Sequence, residues 1–169
     1  MRFVVTGEWT RNRPLQTIVV LYALYVAGLW VTNTLLYFSK MALTYSSVVE
    51  YYLGSDERFL SPRSYQGLLE VSHFHLFAMG MLLLVLTHLM LFVPLANRWK
   101  AWLIAVPFCA AILNEGASWL VRFAHPGFAY VKIAGFLLLQ VSLAVLILAS
   151  LWAVFAGSQR NLNGAAPAP

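Results

Sequence analysis

The chain has 169 residues, of which 61% are hydrophobic and only 10% charged, with a formal net charge of +5. An average soluble domain carries roughly 25% charged residues, so this composition excludes a soluble enzyme and points to an all-α integral membrane protein. The basic residues are scattered at the ends of apolar runs, which suits lipid headgroups and argues against a nucleic-acid surface.

In chain order, Arg2, Arg11 and Arg13 precede a first apolar run at 17–38. The run is too long for a signal-peptide core, so it is expected to be retained. The early arginines predict cytoplasmic termini in a bacterial-type inner membrane. Three more runs, at 67–93, 101–121 and 129–155, also reach the roughly 20 residues that cross about 30 Å of hydrocarbon. The expectation is one four-helix transmembrane domain over 1–160 with a frayed tail at 161–169.

The one sizeable loop, 39–66, contains Ser47 followed three residues later by Glu50, a capping-box pattern, and then Val48, Val49, Tyr52 and Leu53 on one side. This predicts a short surface helix ended by Gly54, either an anchor or a lid, with Tyr45, Tyr51, Tyr52 and Tyr65 at the headgroup level. Ser61 followed by Pro62 predicts the start of a helix running unbroken into the second span.

Ionisable side chains at membrane depth are costly unless paired, liganded or wetted, so they mark candidate sites. The second run carries Glu70, His73, His75 and His88, and the third carries Glu115. At 1.5 Å per residue, His73 and His75 lie about 9 and 12 Å from Gly67, and Glu115 lies about 10 Å from the end near Arg122. These three share one level, in the half of the bundle that also holds Asn33, Asn114, Ser118, His125 and Lys132. At about 100° per residue, Glu70, His73, Phe77, Met81 and His88 form one stripe, while His75 and Met79 point the other way. The candidate ligands are therefore His73, His75, His125 and Glu115, with Glu70, His88, Asn33 and Asn114 as secondary residues. Arg122 reaches Glu115 only over a long distance or through water. Met79, Met81, Phe74, Phe77 and the lone Cys109 read as packing; a single cysteine excludes an intrachain disulfide. Neither Cys-x-x-Cys-His nor a phosphate loop, His-Glu-x-x-His or Gly-x-Ser-x-Gly occurs.

A histidine on a Leu/Phe-rich helix with a second thirteen residues on, as in His75 and His88, resembles small four-helix membrane b-type cytochromes. The resemblance implies electron transport through a b-type haem held by His73 or His75 together with His125, or by histidines at a dimer interface. The residues themselves leave two further chemistries open, and one reading that is not chemical. His73 or His75, His125 and Glu115 offer a mixed nitrogen and oxygen set for an iron, zinc or copper ion. A histidine and a glutamate near the outer face also suit the two protons released on quinol oxidation. Finally, the polar groups of an accessory or metal-handling subunit merely join helices. The leading expectation is a redox protein in the bilayer, associated with other membrane subunits or a second copy of itself.

Overall fold

The computed structural model describes residues 13–93 and 95–163; Arg2, Arg11 and the end of the expected tail lie outside them. The chain is all-helical, with α1 (Arg13–Lys40), α2 (Tyr45–Leu53), α3 (Tyr65–Met90), α4 (Asn97–Phe123) and α5 (Ala129–Asn163), plus a short 3-10 turn at Pro126–Phe128 before α5. Among the described residues, four helices are long and apolar enough to cross a membrane. Residues 161–163, expected in the frayed tail, continue α5.

Two caps differ from the sequence reading. Thr44, not Ser47, starts α2: its side chain accepts from the Ser47 amide, while Ser47 Oγ accepts from the Ala42 amide at 2.8 Å. Glu50 pairs with Arg58 at 3.1 Å instead of closing a capping box. Similarly, α3 begins after Ser64, whose Oγ accepts from Gly67 N at 3.0 Å. Ser61 and Pro62 stay outside the helix because the next residue, Arg63, donates its amide to Tyr52 O at 3.0 Å and ties the segment to α2. Gly54 makes that turn feasible: its φ is +83°, and a Cβ there would meet Leu60 O at 2.4 Å.

Helix α5 packs against α4, α1 and α3, whereas α1 and α3 meet sparsely, bridged by the Tyr22 hydroxyl donating to Leu82 O at 3.3 Å. That arrangement leaves a cleft between α1 and α3. Gly135 on α5 permits a close α4 approach, since a Cβ there would stand 3.0 Å from Asn114 N. Apolar packing divides in two. One cluster, with Val26, Leu86, Met90 and Leu146, fills the half away from the α1–α2 loop. The other, with Tyr37, Val48, Tyr52, Leu68 and Phe136, fills the loop end. Tyr52, expected at the headgroup level, is 4% exposed and packs inside this loop-end cluster. Cys109, expected in the core, is exposed, as are Phe74, Phe77 and Met81.

Candidate functional site

Between the two apolar clusters lies a polar girdle. His75 leaves α3 on the side facing α4, and its Nδ1 stands 3.0 Å from Glu115 Oε2. An ionised carboxylate only accepts, so Nδ1 carries the proton in this pair and Nε2 is left as the basic nitrogen. The other Glu115 oxygen accepts from Ser72 Oγ at 2.5 Å, and Ser72 Oγ accepts in turn from Trp119 Nε1 at 2.7 Å. Because the indole N–H has no alternative but to donate, the Ser72 hydroxyl proton is directed at Glu115. Ser72, one turn from His75, thus ties α3 to two residues of α4 four apart.

A second network sits beside the first. Lys132, 6% exposed, donates Nζ to Asn114 O at 2.9 Å and Ser118 Oγ at 3.0 Å. Ser118 Oγ is also 2.9 Å from the Tyr52 hydroxyl. Burial pushes the Tyr52 phenol well above its ordinary range, so α2 contributes a neutral hydroxyl to this network. The network holds α2, α4 and α5 together through side chains that would otherwise be orphaned in a low-dielectric medium.

Both networks border a cavity of about 410 Å³ at the loop end, lined among others by Lys40, Tyr51, Tyr52, Arg63, His75, Glu115 and Lys132. Its size falls within the range of small-molecule sites, roughly 300–1,000 Å³. A smaller cavity of about 230 Å³ lies deeper, with Leu76, Met79, Leu83, Phe108 and Leu139 among its walls. Asn33, His75, Asn114 and Glu115 line both cavities and stand at the boundary between the loop-end chamber and the deeper, more apolar one. Two further polar atoms at the first chamber, the Tyr37 hydroxyl and Asn114 Oδ1, are buried without a hydrogen-bond partner. The Tyr37 ring stacks on Phe136 at 3.7 Å between centroids, which fixes where that hydroxyl sits.

Of the residues singled out from sequence, His75, Glu115, Asn33 and Asn114 converge here. The other candidates go elsewhere. His73 is exposed on the opposite face of α3 and meets Phe74 edge-on. His125 accepts from Gly127 N through Nδ1 at 2.9 Å, capping the 3-10 turn. Glu70 accepts from Gln66 at 3.0 Å, and His88 is exposed beside Phe92. Arg122 donates to Arg63 O at 2.8 Å rather than reaching Glu115. His73 and His125 line neither cavity. Among the described residues no three of the types His, Cys, Asp and Glu are placed to hold a metal ion. The iron, zinc or copper set of His73 or His75, His125 and Glu115 is therefore not assembled. A haem held by two imidazoles within one chain does not fit either, because the site supplies His75 alone.

Sequence reasoning passed over Ser72, Tyr37 and Trp119, and placed Tyr52 at the headgroup level on a helix read as either an anchor or a lid. The only signal for Ser72 was its place one turn before His75; nothing local marked the tyrosines as lining a cavity. No curated protein and no solved structure matches the chain. A family model described as a transmembrane helical domain matches residues 42–161, from just before α2 into the end of α5. On that match, covering most of its length, the chain belongs to the Aq_1264_TM family of transmembrane helical domains.

Proposed function

We propose that the chain is a redox component of a bacterial inner membrane that binds a quinol-type carrier, a dihydroxylated ring on an apolar tail, and takes up the protons released when that ring is oxidised. One observation carries the reading. The hydrogen-bonded His75–Glu115 pair and two buried atoms without partners, the Tyr37 hydroxyl and Asn114 Oδ1, line one cavity, and His75, Glu115, Asn33 and Asn114 also line a neighbouring, more apolar one. An amphiphile with a hydrogen-bonding head matches that division. A purely polar solute would leave the deeper chamber unfilled.

Oxidation of a quinol to a quinone releases two electrons and two protons. In this reading the ring enters through the cleft between α1 and α3, with its head at the girdle and its tail in the deeper chamber or the lipid. One ring hydroxyl donates to His75 Nε2, and the Glu115 carboxylate at 3.0 Å stabilises the imidazolium that forms. Ser72 holds the carboxylate in register for that task. The second ring hydroxyl hydrogen-bonds to the Tyr37 hydroxyl, and its proton follows the first through His75 once the first has left the imidazolium for the outer side. The two electrons pass one at a time to a one-electron metal centre, a haem or an iron–sulfur cluster, on another membrane subunit. With Arg2, Arg11 and Arg13 on the cytoplasmic side, the cavity opens outward and the protons leave to that side.

The test is saturable quenching of tryptophan fluorescence by decylubiquinone, using the purified chain in lipid nanodiscs. His75→Ala and Glu115→Gln are expected to weaken binding at least tenfold, a loss of about 1.4 kcal/mol, while His125→Ala leaves it unchanged. Equal binding by all variants, or none by the wild type, overturns the proposal. A Soret band in the purified protein would replace it with a haem held between chains.

A further inference from the structure

Helix α3 carries its remaining ionisable residues on the face that no other helix covers among the described residues. Glu70, His73, Phe77, Met81, Leu84 and His88 all lie on this face and all are exposed, Phe77 at 72% and Leu84 at 56%. They recur at the three- and four-residue spacing of a single helix stripe. The 26 residues of α3 rise about 39 Å, some 9 Å more than the hydrocarbon core. With that excess shared between the two ends, His73, eight residues after Tyr65, sits about 7 Å inside the core and Glu70 about 3 Å inside it. Side chains of this kind facing acyl chains cost a few kcal/mol and are normally turned toward protein. Phe74, by contrast, needs no cover.

We infer that two copies of the chain associate through this face of α3, with Glu70 of each copy paired to His73 of the other. Copies of a multi-pass protein insert with the same orientation, so a two-fold axis between them runs along the membrane normal and sets the two α3 helices parallel. Such an axis places equal residues at equal depth. Glu70 and His73 differ in height by about 4.5 Å, within the reach of a glutamate side chain, and an acid and a base on one stripe make the stripe complementary to itself. Gln66 engages only Oε1 of Glu70, which leaves Oε2 to accept from the second copy's imidazole. Phe77, Met81 and Leu84 fill the seam. At its far end the two His88 rings meet across the axis. A different subunit would need its own matching base and acid at these two depths; a second copy has them by symmetry. The inference is independent of what the cavity binds, because the stripe lies on the opposite side of α3 from His75.

The experiment uses the full chain with Cys109→Ser, so that one introduced cysteine reports one position. In native membranes, Phe77→Cys is expected to give a disulfide-linked dimer on treatment with copper phenanthroline. Leu35→Cys on α1 and Val141→Cys on α5, 63% and 61% exposed, are expected not to. Cross-linking of Phe77→Cys no stronger than the two controls, or only to a different polypeptide, overturns the inference. In detergent, Glu70→Ala should raise the dimer dissociation constant about tenfold for the two pairs lost. The exchange Glu70→His with His73→Glu should restore it. Loss in both, with helical content unchanged by circular dichroism, also overturns the pairing.

Discussion

Replacing Ser72 by alanine tests the link on which the girdle depends. Its hydroxyl is buried, donates to Glu115 at 2.5 Å and accepts from Trp119 Nε1 at 2.7 Å. Interhelical polar contacts in bilayers contribute about 0.6 to 2 kcal/mol each. In Ser72→Ala, moreover, the part-buried indole N–H loses its acceptor, a penalty of about 1 kcal/mol. Together the expected loss is about 2–3 kcal/mol. Ser72→Thr, which keeps the hydroxyl, should lose less than about 1 kcal/mol. Reversible unfolding in bicelles with increasing dodecyl sulfate measures both. The cycle with Trp119→Phe is diagnostic: once the indole N–H is gone, Ser72→Ala should cost about 1 kcal/mol less than in the wild type. A wild-type-like Ser72→Ala, within about 0.5 kcal/mol, or strict additivity with Trp119→Phe, would refute the linkage.

Gly54→Ala places a methyl group against Leu60 O in a left-handed backbone; it should destabilise the α2–α3 connection by at least about 1–2 kcal/mol, seen as faster proteolysis between Gly54 and Pro62. Tyr52→Phe removes the bond to Ser118 and should cost about 1 kcal/mol near neutral pH. Because the Tyr52 phenol is pushed up in the fold, its contribution is complete below about pH 10 and is lost as pH rises further. The stability of Tyr52→Phe should therefore fall less steeply than wild type in alkaline unfolding curves. Gly135→Val forces α5 away from the Asn114 backbone and is expected to cost about 1–3 kcal/mol in the same bicelle assay, together with weaker decylubiquinone binding.

Composition and run length by themselves determined that the chain crosses a membrane four times, because spanning requires only a local sum of apolar residues over about 20 positions. Helix periodicity likewise separated His75 from His73, since the angle between two side chains on one helix depends on nothing but their spacing. Gly54 as the end of α2 was legible for the same local reason. Starts of helices were not: Ser47 Oγ accepts from the Ala42 amide and leaves Thr44 to cap α2, while the Arg63–Tyr52 bond and the turn at Gly54 keep Ser61 and Pro62 out of α3, which Ser64 caps. The partners of Glu115 depended on how α4 is rotated about its axis and on which neighbour it meets. That orientation brought Ser72 and His75 to it and sent Arg122 to the loop. Depth along the membrane is one-dimensional and can be counted from sequence, whereas convergence on a point requires two helices to face each other. This is why His125, in the same half of the bundle, caps its own turn instead of joining the site, and why Tyr37 and Tyr52, on different helices, line one cavity.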